Sequence, residues 1–202
     1  SDISYITHVI KEIKDPNRVT VAIPAPAAEG QFGPNATIGR LKTALKKLGF
    51  DYVYEVALGG DLVSMNEAKE LIERKSEGKK MTTSCCPAFV NLIRKHYPEL
   101  MEYVSTTVSP MQANVRYIQE KHPGAYIVFI GPCIAKKFEA EMMEAPDAVM
   151  TFEELNAVFD ARRIDPSECE EDIVPDATSY GRRFSASGGV AQSVIKAAKE
   201  NG

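Results

Sequence analysis

Two adjacent cysteines are the residues of this chain best suited to chemistry. Cys85 and Cys86 lie in the sequence TSCCP at residues 83–87, between a short apolar run and a stretch typical of a helix. Side chains of neighbouring residues in a strand-to-helix turn point in different directions, so these thiols suit two separate tasks better than one disulfide. One sulfur could bind a metal while the other transfers a proton.

A third cysteine follows a second apolar run. Cys133 comes directly after Gly131 and Pro132, at the end of the run over residues 125–130. Sites in α/β sheets form at the carboxyl ends of the strands, so the two cysteine loops are expected to face a common cleft. Thiolates bind iron–sulfur clusters and soft metals, yet these residues do not complete a four-coordinate site. The residues alone leave open both a metal site and three small buried cysteines.

The elements that must position these cysteines alternate between strands and helices. Apolar runs predict strands at residues 18–23, 52–56, 81–83, 126–130 and 148–150. Helix starts are predicted at Ser64 and Thr151, each with a glutamate three residues later, and at Ser109, which precedes a proline. Helical spacing also marks residues 38–48 and the segment after residue 188. The alternation predicts an α/β fold with a parallel sheet.

The composition argues against several classes of partner. The chain has 202 residues, of which 44% are hydrophobic and 26% charged, so it can bury a substantial core. A net charge of −4 without a basic run predicts no nucleic-acid partner. Apolar runs far shorter than the roughly 20 residues of a membrane span predict no membrane partner. Four cysteines without framework spacing predict a cytoplasmic location, and Cys169, among acidic residues, is predicted to be exposed.

The two cysteine loops resemble the first two signature loops of the iron-only hydrogenase catalytic domain. These loops are TSCCP at residues 83–87 and GPCIAKKFE at residues 131–139. Further segments resemble the same family in the same order, at residues 39–51, 61–65, 97–100, 109–110 and 184–190. The resemblance covers residues 19–199, and the pairing of the two cysteine loops is highly specific.

The resemblance implies a cofactor and a role for each cysteine. In that family the active site, the H-cluster, is a 4Fe-4S cluster joined by a cysteine sulfur to a two-iron unit with carbon monoxide, cyanide and dithiolate ligands. Cys86 and Cys133 match two of the four cluster ligands, and Cys85 matches the thiol that exchanges protons with the dithiolate. Lys136 matches the lysine that donates a hydrogen bond to a cyanide, and Glu139 is expected to orient it.

Other residues are implied to line the cofactor. Ala25 and Pro26 resemble the apolar loop over the two-iron unit, and Pro132 belongs to the second signature loop. Ser185 stands where the family usually has a glycine, and Gly131 stands where catalytic members carry a methionine. Loss of an apolar side chain and gain of a hydroxyl predict a wetter cavity. These differences resemble a divergent branch of the family to which a sensory role is ascribed.

A charged helix face has two interpretations. Glu67, Glu70 and Arg74 lie three and four residues apart, which places them on one face of a helix. From spacing alone, a solvated face of ion pairs is the more common interpretation. The resemblance instead implies that these residues, with Ser105, match the family's proton route from Cys85 to the surface, because carboxylates and hydroxyls can relay protons.

The resemblance also implies that the site is incomplete in this chain. The third signature of the family, which supplies the other two cluster cysteines, is expected some tens of residues beyond residue 190. We therefore expect a truncated catalytic domain that is inactive and lacks the H-cluster, which an intact parent protein would hold. The implied partner is a ferredoxin-like electron-transfer domain or protein, and a signalling domain in the parent is a further candidate.

The implied fold has two α/β lobes, each with a parallel sheet flanked by helices, and an active site in the cleft between them. We place the first lobe at residues 1–107, with the Cys85–Cys86 loop, and the partial second lobe at residues 108–202. The implied activity is reversible reduction of protons to hydrogen. A hydrogen- or redox-sensing module and an iron–sulfur assembly factor are the alternatives. The presence of Cys85, Lys136 and the charged face argues against the assembly factor, which has no evident need of a proton route.

Overall fold

The chain folds around a parallel sheet. A computed structural model describes residues 3–143, 146–173 and 177–201. Its four strands are β1 (Thr20–Pro24), β2 (Tyr52–Val53), β3 (Tyr126–Gly131) and β4 (Ala148–Thr151). They lie in the order β2-β1-β3-β4, and every neighbouring pair is parallel. The α/β class predicted from the alternation of elements is confirmed.

Helices cover the sheet and connect its strands. The helices are α1 (Ile6–Glu12), α2 (Ile38–Leu48), α3 (Val56–Ser76), α4 (Pro87–His96), α5 (Pro110–Lys121), α6 (Ala135–Met142), α7 (Phe152–Arg162), α8 (Ser179–Arg182) and α9 (Gly189–Asn201). Short 3-10 turns occur at Pro26–Ala28, Pro98–Tyr103, Pro166–Glu168 and Arg183–Ser185. Within the ranges that the structure describes, every helix is too short or too polar to cross a membrane.

The central strands are buried along their whole length. Every residue of β1, β3 and β4 is buried, which explains why these strands are continuous apolar runs in the sequence rather than alternating ones. β1 pairs with β3 from Thr20 opposite Tyr126 to Pro24 opposite Ile130. The backbone N–H of Ala25 then donates to the Ile130 carbonyl oxygen over 2.8 Å. The loops that follow β1 and β3 therefore leave the sheet side by side.

The sheet contains strands from both sides of Thr107, the residue at which we predicted the boundary between two lobes. β1 and β2 precede that residue, β3 and β4 follow it, and β1 pairs directly with β3. The described residues contain this one sheet, and the division into two lobes stays a prediction. The strand predicted at residues 81–83 is reduced to a bridge between Thr82 and Val104.

The beginning of α3 differs from the prediction. We predicted a strand to residue 56 and a helix from Ser64, but β2 ends at Val53 and α3 begins at Val56. Ser64 is therefore a buried residue in the helix interior, 1% exposed, and not an N-cap. Tertiary packing of the glycine-containing first turns explains the extension, because it outweighs their poor helix propensity. The capping box at Thr151 and the cap at Ser109 are confirmed.

Cys169 is buried, contrary to the prediction of an exposed thiol. Its side chain is 4% exposed and belongs to the main hydrophobic core. The 3-10 turn at Pro166–Glu168 packs on α2 and turns the next residue inward. The Lys47 ammonium lies 3.5 Å from its sulfur. The acidic residues around Cys169 indicated an exposed loop, and nothing in the sequence indicated that this one side chain points into the core.

Close helix packing requires a glycine at residue 59. A Cβ there would overlap the carbonyl oxygen of Pro110, at the start of α5. In an exposed helix, Gly→Ala stabilises by roughly 1 kcal/mol through helix propensity. For Gly59→Ala we expect the opposite, a loss of about 1–3 kcal/mol in the free energy of unfolding measured with denaturant, because α5 must move.

Asn66→Ala is the control for this prediction. Asn66 is exposed on the same helix, so its replacement removes no packing contact and should leave the free energy of unfolding unchanged or slightly higher. A Gly59→Ala protein as stable as the wild type would contradict the packing argument.

Candidate active site

The cysteine loops face one cavity at the carboxyl ends of the strands. Its volume is about 270 Å³, and its walls are mainly apolar. Every residue that we predicted to hold or line the cofactor contributes to it: Ala25, Pro26, Cys85, Cys86, Pro132, Cys133, Lys136 and Ser185. Phe129, Phe184 and Val190 complete much of the apolar wall and were not predicted. The structure thus brings together residues from four separate segments of the chain.

The three thiols of the cavity lie in different environments. All are free; Cys86 and Cys133 are exposed, whereas Cys85 is partly buried. Burial, followed by the nearby Glu67 carboxylate and the Cys86 thiol, raises the pKa of Cys85 to about 11. At neutral pH Cys85 therefore keeps its proton, while the other two thiols stand open to a ligand. Metal ligation requires a thiolate, so this arrangement separates a protonated thiol from two exposed thiols that could bind a metal.

Lys136 reaches the cavity from the first turn of α6. Its ammonium lies 2.6 Å from a carboxylate oxygen of Glu139 and 3.5 Å from the Cys85 carbonyl oxygen. The two charged side chains are only 14% and 6% exposed, so each is held by the other. The predicted contact between Glu139 and Lys136 is confirmed. A compact cation is thereby fixed in an otherwise apolar wall.

Glu67 is a carboxyl group buried behind the cysteine loop. Its side chain is fully buried, and Oε1 accepts a hydrogen bond from the Ser84 backbone N–H at 2.9 Å. The Ser84 hydroxyl oxygen lies 3.3 Å from the same Oε1. Oε2 has no hydrogen-bond partner among the described residues. Burial raises the pKa of Glu67, and this effect exceeds the opposing effects of the nearby Ser84 and Ser105 donors. Glu67 is therefore neither capping a helix nor part of a solvated face.

Glu70 lies one turn further along α3 in a more polar setting. Ser105 donates its hydroxyl hydrogen to Oε2 over 2.5 Å, and the Thr106 N–H donates over 3.1 Å. Arg74 donates to Oε1 over 2.7 Å. Burial alone would raise the pKa of Glu70, but these three donors together lower it. Glu70 thus stays ionised beside Arg74.

Arg74 is the outer member of this group. It also donates to the carbonyl oxygens of Glu102 at 2.6 Å and Val104 at 3.1 Å. Its side chain is 17% exposed, so the group reaches solvent at this residue. The four residues predicted as a route, from Glu67 to Arg74 with Ser105, are thus close together. The structure excludes a fully solvated charged face.

Sequence reasoning missed the loop that completes this polar group. Ser84 donates its hydroxyl hydrogen to the Thr107 carbonyl oxygen over 2.5 Å, and the Thr107 N–H donates to the Ser105 hydroxyl over 3.1 Å. Ser84, directly before Cys85 in the TSCCP motif, was the one available signal. Thr106 and Thr107 contact Glu70 across 36 and 37 residues of sequence, so no local pattern could have indicated them.

The donor set fits half of a four-cysteine cluster site. Cys86 and Cys133 offer two exposed thiols at an apolar cavity, beside the Lys136 ammonium. Four cysteines are the usual ligands of a 4Fe-4S cluster. Within the described parts of the chain, no three histidine, cysteine or acidic side chains are grouped to hold a metal ion. The remaining donors would have to come from outside these residues.

The same segments identify the family. Residues 18–202 match the family described as "Iron only hydrogenase large subunit, C-terminal domain". The chain belongs to this family. Iron hydrogenase 1 of Clostridium pasteurianum is 30% identical over 99% of the chain and 40% of that protein. The periplasmic Fe hydrogenase large subunit of Nitratidesulfovibrio vulgaris is 29% identical over 98% of the chain and 54% of that protein.

A solved relative supports the same assignment. An apo FeFe-hydrogenase HydA1 variant from Chlamydomonas reinhardtii superposes with a TM-score of 0.82 and 30% identity, over 98% of the chain and 58% of that protein. The cytosolic Fe-S cluster assembly factor NAR1 of Meyerozyma guilliermondii is 29% identical over 75% of the chain. The chain thus spans about half the length of its hydrogenase relatives. Because relatives include periplasmic and cytosolic proteins, the cytoplasmic location stays a prediction.

In this iron-only hydrogenase domain, Gly131 leaves no open space in the cavity wall, and the wetter cavity that we expected stays a prediction. The ring of Phe129 occupies the space beside Gly131 and keeps the wall apolar. Ser185 does add a hydroxyl group, but it donates to the Arg182 carbonyl oxygen over 3.1 Å. That hydrogen is consequently engaged with the backbone rather than with the cavity.

The raised pKa of Glu67 predicts a pH-dependent stability. A carboxyl group whose pKa is higher in the folded than in the unfolded state favours folding in its protonated form. Its contribution is fully present below its ordinary pKa of 4.5 and is lost as pH rises through the raised value. Glu67→Gln keeps an oxygen acceptor for Ser84 and cannot ionise. We expect the free energy of unfolding, measured with denaturant between pH 4 and 8, to fall less with rising pH in this variant.

Glu73→Gln provides the matched control. Glu73 is exposed on the same helix, so the variant should reproduce the pH profile of the wild type. An identical profile for all three proteins would show that Glu67 ionises as easily in the folded state as in the unfolded one.

Proposed function

We propose that this domain forms part of an iron-only hydrogenase that reversibly reduces protons to hydrogen. One observation carries the proposal: a protonated thiol, Cys85, lines the same cavity as two exposed candidate ligands and lies near a buried carboxyl group. Apolar cores do not normally accommodate such a group without a function. A metal site alone would need neither the protonated thiol nor the carboxyl group.

The cavity residues would hold the H-cluster in the full-length protein. Cys86 and Cys133 would supply two of the four cysteine ligands of its 4Fe-4S cluster, and two further cysteines would complete it. When bound, that group would receive electrons from an external donor and would provide the metal chemistry that reduces protons. Ala25, Pro26 and Pro132 would exclude water, and Lys136 would donate a hydrogen bond to an anionic ligand of the two-iron unit.

The chain's own residues would move the proton. The Cys85 thiol would give up its proton at the cavity and regain one from Glu67, whose Oε2 is free to carry it. The raised pKa of Glu67 lets that carboxyl group hold a proton closer to neutral pH than an exposed carboxyl group can. Glu67 would be reloaded through Ser105 and Glu70, and Arg74 would keep Glu70 ionised between transfers.

Electrons and the remaining cluster ligands would come from outside the chain. A ferredoxin-like domain or protein is the electron donor that this chemistry requires, since each hydrogen molecule consumes two electrons and two protons. With two of four cluster ligands, the 202-residue polypeptide alone is expected to retain no cluster and to be inactive. Iron analysis of the isolated polypeptide tests this, and stoichiometric iron with hydrogen evolution would contradict it.

Cysteine substitutions in the iron-loaded full-length protein test the ligand assignment. Cys86→Ala and Cys133→Ala are each expected to lose most of the bound iron, because a cluster ligand is removed. Cys169→Ala is the control, since that cysteine is buried in the core away from the cavity and should keep its iron. Equal iron content in all three variants, measured by metal analysis, would remove Cys86 and Cys133 from the ligand set.

Glu67→Gln tests the proton route in the same protein. Loss of a general acid–base group costs roughly 100-fold or more in rate, so hydrogen turnover should fall by at least that factor with unchanged iron content. Glu73→Gln, exposed on the same helix, should turn over at the wild-type rate. Wild-type turnover in Glu67→Gln would exclude Glu67 from the route.

An iron–sulfur assembly factor is the second candidate. The observation in its favour is the similarity to NAR1 of Meyerozyma guilliermondii over 75% of the chain. An assembly factor would need Cys86 and Cys133 but not the protonated Cys85. Iron-loaded full-length protein that shows no hydrogen evolution, and in which Cys85→Ser changes neither iron content nor cluster delivery to an acceptor apoprotein, would favour this function over the hydrogenase.

A further inference from the structure

Two residues of β3 share one space beside the cavity. Residues two apart on a strand point to the same side, so Phe129 and Gly131 face the same way. Phe129 is 3% exposed and lines the cavity wall. A Cβ at residue 131 would lie 2.5 Å from Cε1 and 2.7 Å from Cζ of that ring. The ring therefore occupies the volume that a side chain at residue 131 would need.

We propose that Phe129 and Gly131 are structurally coupled: because Gly131 has no side chain, the ring of Phe129 fills the adjacent space and forms that part of the cavity wall. Phe129 is thereby a positioning residue that shapes the apolar side of the site. Its role toward the cofactor rests on the proposed function, whereas the pairing itself is a property of the protein fold. Nothing in the sequence alone links these two positions, because both belong to one continuous apolar run.

The surroundings of the ring give it little freedom. Phe129 lies opposite Ile23 of β1 and Val149 of β4, in the middle of the sheet, and both neighbours are buried. Ala25, whose Cβ would lie 3.5 Å from a Cβ at residue 131, closes the remaining side. Because the core is close-packed, a ring displaced by a side chain at residue 131 can move only toward the cavity. Any substitution at residue 131 should therefore act through Phe129.

A double-mutant cycle on the full-length protein without iron tests the pair. Gly131→Ala in the wild type should raise the unfolding equilibrium constant roughly tenfold, because the new Cβ overlaps the ring. Phe129→Leu removes Cε1 and Cζ and keeps a branched apolar side chain. In the Phe129→Leu background, Gly131→Ala should raise the unfolding equilibrium constant by less than about threefold, or should lower it because the new Cβ fills the space that the ring has left.

Ile127→Ala is the matched control background. It also removes three carbon atoms from a buried side chain on the same face of β3, but it lies four residues from residue 131, about 13 Å along the strand. Gly131→Ala should keep its full tenfold effect there. An equal effect of Gly131→Ala in the wild-type and Phe129→Leu backgrounds, or no effect in the wild type, would overturn the pairing.

Infrared spectra of the iron-loaded protein test the role toward the cofactor. Phe129→Leu should shift the stretching bands of the carbon monoxide and cyanide ligands relative to the wild type, and Ile127→Ala should not. Unshifted bands in Phe129→Leu would overturn the assignment of the ring to the cofactor wall. A wild-type protein that binds no iron, with the expected coupling in the unfolding cycle, would instead overturn the proposed function and leave the pair intact.

Discussion

The direct pairing of β1 with β3 is the constraint on which the site depends. It extends to Pro24 opposite Ile130 and continues in the bond from the Ala25 N–H to the Ile130 carbonyl oxygen. The loops after β1 and β3 leave the sheet from adjacent backbone positions. The pairing of these strands therefore brings two distant parts of the sequence together as walls of the cavity. Parallel strands have this property because all their carboxyl ends lie along one edge. Two walls of the cavity are thus built on strands that are buried along their whole length.

The second requirement is a buried carboxyl group that the fold must tolerate. An ionised carboxylate without water costs several kcal/mol, and here the cost is reduced by the hydrogen bond from the Ser84 N–H, while burial raises the pKa of Glu67 and so favours its protonated form. The early start of α3 makes this possible, since it carries Glu67 through the interior to the back of the cysteine loop. Glu70, one turn later, has enough donors to remain charged. One helix therefore presents two carboxyl groups with opposite shifts in pKa.

Local patterns predicted the parts of the structure that local forces determine. The alternation of strands and helices and the capping box at Thr151 follow from short-range spacing, and the place of Cys133 follows from the geometry of parallel sheets. The Cys85–Cys86 loop follows an isolated bridge at Thr82 rather than a strand of the sheet, so its approach to Cys133 depends on tertiary packing. The start of α3, the burial of Cys169 and the contact between Ser84 and Glu67 depend on which surfaces meet in three dimensions. Ser64 shows the limit of prediction from local sequence. It has the sequence pattern of a helix N-cap, yet the residue is buried in the interior of α3. Only tertiary packing distinguishes these cases.

The environment of Cys85 also decides which sulfur is open to chemical damage. Alkylating agents and peroxides react with the thiolate, so the burial that raises the pKa of Cys85 to about 11 also slows its reaction with them. Cys86 and Cys133 are exposed, so a reagent in solution can reach their sulfur atoms when no metal is bound. Oxidative injury to a cavity without a cofactor would therefore begin at the two candidate ligand sulfurs, and the Cys85 thiol would survive it longest.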